Sequence, residues 1–212
     1  MTGNEDAPTE AFAVGAWGSW YTGTSGNGSD GLQFLLAGAT VKGYLANGLA
    51  VNTLTYDWNS NPTGLQAMEA LNSATDPDLR PFMNHGGKVI FWHGQNDAAI
   101  SYRATTAYLD KVKSTMGDQA TFDRFARYYQ APGVDHCSGG PGADAVNLVS
   151  VIDAWVTQGA APGQLTATKR KPDGSVAFTR PLCLHPKYPR YTGPANDVDA
   201  AKLASNYTCT SP

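Results

Sequence analysis

The sequence has little charge, no excess of basic residues and no long apolar run. Its 212 residues include 15 Lys and Arg against 18 Asp and Glu, and only 16% of all positions are charged. Without a basic surface there is no electrostatic attraction to nucleic acid or to an anionic membrane, so we predict neither partner. No stretch approaches the roughly 18 apolar residues of a transmembrane helix. The opening residues MTGNEDAPTEAF lack the pattern of a secretion signal, so we expect no targeting segment in this chain.

Glycine and proline are abundant, with 23 and 13 residues, beside 42% hydrophobic residues. This composition predicts a globular chain with one substantial core and many loops. We predict two regions. Residues 1–75 form a loop-rich segment, irregular as far as residue 31 and with short helices over 32–49 and 64–73. Residues 76–212 form an α/β domain.

The second region has the pattern of a parallel sheet with crossover helices. The apolar run 88–93 predicts a buried strand, and residues 125–130 predict another. A loop and a helix follow each strand, the helices covering 101–116 and 143–158. This order is typical of an α/β fold. On the second helix, the residues expected to face the sheet are Val146, Leu148, Val149, Ile152, Trp155 and Val156.

Functional groups of such a sheet gather in the loops that follow its strands. Asp97 follows the first predicted strand, and His136 follows the second one, 39 positions later. This matches the closing order of the Ser, Asp, His triad of an α/β-hydrolase, in which His136 acts as general base and Asp97 orients it. Asp135 adjoins His136, but neighbours on an extended loop point apart. The alternative is that Asp97 is a turn former and His136 an ordinary histidine.

The nucleophile of such a triad is missing from the sequence. The G-x-S-x-G turn that exposes the serine does not occur, since Ser25 has Asn27 at the last position and Ser19 has no strand before it. A complete triad therefore cannot be assembled by pattern.

Metal-ligating patterns are also absent. Three histidines and Cys137 lack the C-x-x-C and H-x-x-x-H spacings of zinc sites. The segment from Asp57 through Asn59 to Asn61 starts like a calcium loop, but it has Pro62 where glycine is needed and Met68 where glutamate is needed. We predict no metal and no cofactor.

The three cysteines are an odd number, so at least one has no partner within the chain. Cys183 and Cys209 lie 26 positions apart in a tail with little core of its own, which predicts a disulfide worth about 3.5 kcal/mol. Such a bond places the protein in an oxidising compartment, secreted or periplasmic. The alternative is three buried, reduced cysteines. If that disulfide forms, Cys137 is the cysteine that has no disulfide partner within the chain.

Three stretches of the sequence resemble the tannase and feruloyl esterase family, which includes mono(hydroxyethyl) terephthalate hydrolase. They are 86–97 (GGKVIFWHGQND), 131–142 (APGVDHCSGGPG) and 179–183 (TRPLC) with the tail to Cys209. The HCSGGPG string is the most specific of them, and together they cover about residues 76–209. Residues 15–75 resemble the end of the family's lid insertion.

The resemblance implies the C-terminal part of an α/β-hydrolase, with Asp97 as acid and His136 as base. It also implies that Cys137 bridges to a cysteine just before the nucleophilic serine. The family's serine segment, oxyanion hole, calcium site and most of its lid lie upstream of the matched residues. The resemblance therefore implies that the chain carries two of the three triad residues, Asp97 and His136, and no calcium site.

We therefore predict a serine carboxylic ester hydrolase that acts on esters of aromatic acids such as ferulate, gallate or terephthalate. Trp17 and Trp20 are either walls of the aromatic acyl site or ordinary loop packing. For the serine, three explanations stay open: the chain is one half of a two-part enzyme, it is a truncation product, or it uses another hydroxyl.

Two non-enzymatic alternatives also stay open. One is an aromatic-binding module without catalysis, and the other is a structural partner that completes a second polypeptide through Cys137. The half sheet predicts exposed apolar surface, and we therefore expect the chain to associate with itself or with the missing N-terminal part.

Overall fold

The computed structural model describes residues 18–46, 48 and 50–212. The described residues fall into two compact units, one ending at Asp76 and the other running from Pro77 to Pro212. Within the described residues, no helix combines the length and the apolar character needed to cross a bilayer. Trp17, one of the two tryptophans considered for the acyl site, lies outside the described residues.

The first unit is made of short helices and turns. Helix α1 spans Leu32–Thr40, helix α2 spans Pro62–Asn72, and a 3-10 turn covers Thr53–Thr55. The Asn61 side chain caps α2 by accepting a hydrogen bond from the Gly64 amide at 2.8 Å. This cap, followed by a proline in the first turn, starts the helix two residues before the predicted position.

Two π-helical turns, Gly18–Thr22 and Val41–Leu45, correct the predictions for this unit. The first is regular structure where an irregular loop was expected. The second follows α1 directly, so the helix predicted over 32–49 ends at Leu45. The amide of Ala46 bonds the carbonyl of Val41 at 2.8 Å, five residues back, which is the wider winding of a π turn.

The second unit opens with the α/β arrangement that the sequence predicted. It contains α3 (Arg80–Asn84), β1 (Val89–Gly94), α4 (Tyr102–Met116), α5 (Gln119–Asp123) and β2 (Ala126–Ala131). Strands β1 and β2 are parallel and in register from Val89 opposite Ala126 to Gly94 opposite Ala131. The core between the helices and the sheet consists of Leu109, Val112, Phe122, Phe125, Ala126 and Tyr128.

Helix α4 begins and ends as its sequence indicates. The Ser101 side chain accepts a hydrogen bond from the Arg103 amide at 3.3 Å, and Gly117 ends the helix with a φ of 121° that side chains rarely adopt. The buried stripe consists of Leu109 and Val112, with Tyr108 and Met116 partly buried beside it. This places the loop that starts at Gln95 between β1 and a firmly anchored helix.

Helix α6 differs from its prediction in both its start and its buried face. It spans Leu148–Gln158 rather than 143–158, because the chain before it pairs with a later strand through Ala145 and Thr168. Trp155 is buried, whereas Val149 is 77% exposed and Val156 is 62% exposed. The expectation that these two valines face the sheet is therefore wrong. They lie seven residues apart on one exposed stripe, roughly 100° around the helix axis from Trp155.

The tail forms two antiparallel pairs that sequence reasoning did not predict. Strand β3 (Leu165–Arg170) pairs with β4 (Val176–Leu182), and β5 (Tyr188–Tyr191) pairs with β6 (Tyr207–Thr210). The Cys183–Cys209 disulfide joins the end of β4 to β6, as predicted. The tail is therefore held together by its own two small sheets as well as by the disulfide.

Candidate active site

The site lies at the carboxyl ends of β1 and β2, where two loops run side by side. The amide of Gln95 donates to the carbonyl of Ala131 at 2.9 Å, and that of Asn96 donates to the carbonyl of Val134 at 3.0 Å. Gly94 permits this approach, because a Cβ added there would lie 2.1 Å from the Val134 oxygen. Backbone contacts alone thus fix the two loops to each other.

Asp97 and His136 meet across these loops. The Nδ1 atom of His136 lies 2.9 Å from Oδ2 of Asp97. The Asp97 side chain is 4% exposed and that of His136 is 35% exposed, so the acid is buried and the imidazole reaches the surface. An ionised carboxylate only accepts hydrogen bonds, so Nδ1 carries the proton and Nε2 is the basic nitrogen of the neutral ring.

The other oxygen of Asp97 is held by the backbone of its own loop. Oδ1 accepts hydrogen bonds from the amides of Ala99 at 2.8 Å and Ile100 at 2.9 Å. Burial by itself raises the pKa of Asp97, but hydrogen bonds from His93, the Ile100 amide and His136 outweigh burial and hold this pKa below its ordinary value. Asp97 is therefore an ionised, immobilised acceptor for His136.

His93 is a second histidine on the same carboxylate, and sequence reasoning did not assign it a role. Its Nε2 lies 3.2 Å from Oδ2 of Asp97 and 3.0 Å from the carbonyl oxygen of Ile100. Its Nδ1 lies 2.9 Å from the hydroxyl of Thr105 on α4. Two acceptors at Nε2 require a proton on that nitrogen, so Nδ1 of the neutral ring accepts from Thr105. Both nitrogens are thus engaged, which makes His93 a support for Asp97.

A further hydrogen bond joins the residues that precede Asp97 and His136. The Nδ2 atom of Asn96 donates to Oδ1 of Asp135 at 2.5 Å. Asn96 is 2% exposed, and its own Oδ1 has no partner among the described residues. Asp135 therefore points to Asn96 while His136 points to Asp97, in agreement with the expectation that neighbours on this loop point apart.

The loop that carries His136 is held at both ends. The amide of Gly142 bonds the carbonyl of Gly133 at 2.7 Å, which closes the loop at its base. Asp144 accepts from the Gly139 amide at 2.8 Å and pairs with Lys169 at 3.2 Å. Lys169, on β3, also donates to the carbonyl of Gly140 at 2.8 Å. The tail strands therefore brace the histidine loop.

The other predicted site residues have different places. Cys137 follows His136 directly, is exposed, has a φ of 68° and forms no disulfide with the other two cysteines. Trp20 lies in the first unit, in the π turn Gly18–Thr22, and is partly buried. Within the described residues, no group of three His, Cys, Asp or Glu side chains has an arrangement that could hold a metal ion.

A buried acid and a histidine on the loops after two parallel strands follow the Asp-then-His chain order of an α/β-hydrolase. The chain belongs to the tannase and feruloyl esterase family, since it matches the family described as "Tannase and feruloyl esterase" over residues 2–210. This extends the resemblance seen in the sequence to nearly the whole chain.

Curated relatives are longer than this chain. It is 31% identical over 217 aligned residues to mono(2-hydroxyethyl) terephthalate hydrolase from Piscinibacter sakaiensis, an alignment that covers 92% of this chain and 35% of the relative. It is 30% identical over 175 residues to feruloyl esterase B from Aspergillus niger, covering 72% of this chain and 33% of the relative. The chain therefore spans about a third of the length of these relatives.

Solved structures share the fold. The crystal structure of feruloyl esterase B from Aspergillus oryzae superposes with a TM-score of 0.76 at 24% identity, covering 95% of this chain and 39% of that one. Tannin acyl hydrolase from Aspergillus niger superposes with a TM-score of 0.66 at 24% identity, covering 89% of this chain and 36% of that one. The chain thus has the architecture of part of an esterase of the α/β-hydrolase type.

Proposed function

We propose that this chain supplies the acid and the base of a serine carboxylic ester hydrolase, with Asp97 as the acid and His136 as the base. The single observation that carries the proposal is the 2.9 Å contact between His136 Nδ1 and a buried Asp97 oxygen. Family membership supports the same chemistry.

In the proposed reaction, Nε2 of His136 takes the proton of a serine hydroxyl while the serine oxygen attacks the ester carbonyl. The tetrahedral intermediate then expels the alcohol, which receives that proton from His136, and an acyl-enzyme remains. Water deprotonated by His136 next attacks the acyl group, releases the acid and returns the serine. Asp97 stays ionised and stabilises the imidazolium in both halves of the cycle.

The proposed nucleophile is a serine on a polypeptide segment outside these 212 residues. Two observations support this placement: no G-x-S-x-G sequence occurs in the chain, and the chain spans 35% of the terephthalate-ester relative. Cys137 adds a chemical reason, since its unpaired, exposed thiol adjoins His136 and is available for a disulfide to that segment. Such a bond holds the base and the nucleophile together.

The proposed substrates are esters of aromatic acids. This inference comes from relatives that are named for terephthalate and ferulate esters. Trp20 remains a candidate for the acyl site on the sequence alone. For location, the Cys183–Cys209 disulfide supports an oxidising compartment, secreted or periplasmic.

The test compares the 212-residue chain with the complete translation product of the gene that encodes it. Both are treated with a fluorophosphonate that labels active serines, and both are assayed on methyl ferulate and p-nitrophenyl acetate. His136→Ala removes the base. His85→Ala is the matched control, because His85 lies on the exposed end of α3 and not at the site.

We expect the complete product to be labelled on a serine outside the 212 residues and to lose at least about a thousandfold in kcat with His136→Ala but not with His85→Ala. The chain alone should show neither labelling nor hydrolysis that depends on His136. Labelling within the chain would contradict the proposed nucleophile. Hydrolysis that is indifferent to His136, or no labelling of either protein, would contradict the proposed function and favour a binding module.

A further inference from the structure

A cavity of about 390 Å³ lies behind the histidine loop, lined by the tail strands and by both ends of that loop. Its walls are apolar, with proline, glycine, alanine and leucine contributed by the loop and by β3 and β4. Arg180 is the only charged residue among those that line it, and no Asp or Glu side chain is part of the wall. His136 does not line this cavity, so it is separate from the candidate active site.

Arg180 is fixed in an unusual way. Its guanidinium carbon lies 4.6 Å from the ring centre of Phe178 and 4.6 Å from that of Tyr207, so the side chain stacks on two aromatic rings. One nitrogen, Nη1, donates to the carbonyl of Thr179 at 2.8 Å. Among the described residues, no carboxylate lies within salt-bridge distance of Arg180. The cation is therefore held in place by aromatic faces and has donors left for an anion.

We propose that this cavity binds a small aromatic carboxylate, with the carboxylate on Arg180 and the ring among the apolar walls. A guanidinium presents paired N–H donors in a plane, which matches the two oxygens of a carboxylate. A single cation in an apolar wall favours a singly charged ligand over phosphate or another multiply charged anion. The volume is at the lower end of the range of small-molecule sites, which suits one ring.

The cavity and its proposed ligand are independent of the proposed ester hydrolysis. The ligand is chosen by the charge and walls of the cavity, and neither Asp97 nor His136 lines it. Gly133 and Gly142, whose hydrogen bond closes the histidine loop, line the cavity. A bound ligand would therefore contact the base of that loop without touching His136.

The experiment titrates the 15N-labelled chain with benzoate and follows the backbone amides by NMR. Benzamide has the ring without the charge, and acetate has the charge without the ring. We expect saturable shifts at Gly133, Gly142 and Ala167, with a dissociation constant on the order of 1 mM for so small a ligand. Benzamide and acetate should each bind at least about tenfold more weakly.

Variants locate the site. Arg180→Gln should weaken benzoate binding by about tenfold to a hundredfold, whereas Arg190→Gln, an exposed arginine on β5 that does not line the cavity, should leave binding unchanged. If loss of the stacked arginine unfolds the tail, Ala167→Leu provides the test, because Ala167 is buried in the cavity wall and a larger side chain fills the space. That variant should also abolish binding.

The variant His136→Ala distinguishes a failure of the cavity proposal from a failure of the proposed function. That variant should bind benzoate as the parent chain does. Shifts that are absent, that survive Arg180→Gln and Ala167→Leu, or that disappear in His136→Ala would overturn the cavity as a carboxylate site. Loss of the shifts in His136→Ala would mean that benzoate binds at the candidate active site and not in this cavity.

Discussion

Asn96 and Asp135 form the same kind of link as Asp97 and His136, one residue earlier on each loop. Both pairs are 39 residues apart, and their contacts measure 2.5 and 2.9 Å. Paired residues of β1 and β2 are 37 positions apart, so the loop after β2 has gained two residues on the loop after β1 where these contacts form. Asn96 therefore ties the loop after β1 to the loop that carries His136.

Substitution of Asn96 by alanine should destabilise the fold by about 1 to 3 kcal/mol, because it leaves the Asp135 carboxylate without its short hydrogen bond. The loss of stability is measured as the difference in free energy of unfolding between the parent chain and the variant in urea titrations. Gln119→Ala is the matched control: Gln119 also donates an amide hydrogen bond to an aspartate, Asp123, but on the surface, so its loss should change stability by no more than about 0.5 kcal/mol. Equal effects of the two substitutions would contradict the assigned role of Asn96.

Replacing Asp97 with asparagine should make the free energy of unfolding less dependent on pH in the acid range. The pKa of Asp97 is lower in the folded chain than in the unfolded one, so its contribution to stability is complete above the unfolded pKa and is lost as the pH falls through the folded pKa. Urea midpoints across this acid range should fall more steeply for the parent chain than for Asp97→Asn. Parallel profiles would show that the carboxylate is not stabilised by folding.

Replacing His93 with phenylalanine should raise the pKa of Asp97, since the variant removes one of the hydrogen bonds that lower it. The carboxyl carbon shift of Asp97, followed by NMR as the pH is lowered, reports this directly. Thr105→Val removes only the partner of the other His93 nitrogen and should have a smaller effect. No change in the Asp97 titration would mean that His93 does not act on the carboxylate.

Removing the Cys183–Cys209 disulfide with two serines should destabilise the chain by about 3.5 kcal/mol, since the bond closes a loop with a sequence separation of 26. Thermal and urea unfolding of the double variant measure the loss. Cys137→Ser, at an exposed and unpaired thiol, should cost no more than about 0.5 kcal/mol. A larger cost at Cys137 than at the pair would contradict this assignment of the cysteines.

The chain should associate with itself at micromolar concentration. Val149 and Val156 form an exposed apolar strip on α6, and such surface favours contact between copies. Light scattering should therefore give a mass above that of one chain, and serine at both positions should reduce it. A monomer at all concentrations would contradict this prediction.

The adjacency of Asp97 and His136 could be predicted from the order of the strands. Parallel strands end at the same edge of a sheet, so an acid after one strand and a histidine after the next must approach each other. The Asn96–Asp135 pair has the same spacing and could have been found by moving that argument back by one residue. His93 could not, because its role depends on the loop turning back to place Ile100 against the ring.

The tail and α6 were harder to predict for physical reasons. The pairing of β5 with β6 joins segments far apart in sequence, which no local pattern indicates. Helix α6 contains valines on two sides, so periodicity alone assigned Val149 to the wrong face. The β-bridge from Ala145 to Thr168 delays the start of the helix, and that pairing is also not indicated by any local pattern.

In the proposed site, Asp97 holds the neutral imidazole of His136 with its proton on Nδ1. Long-range 1H–15N correlation spectra of the histidine rings test it directly, recorded at alkaline pH for the chain and for Asp97→Asn. We predict that His136 in the parent chain has a protonated Nδ1 and an unprotonated Nε2, and that asparagine at position 97 reverses or mixes these states. A proton on Nε2 of His136 in the parent chain, or spectra that do not respond to Asp97→Asn, would contradict the account.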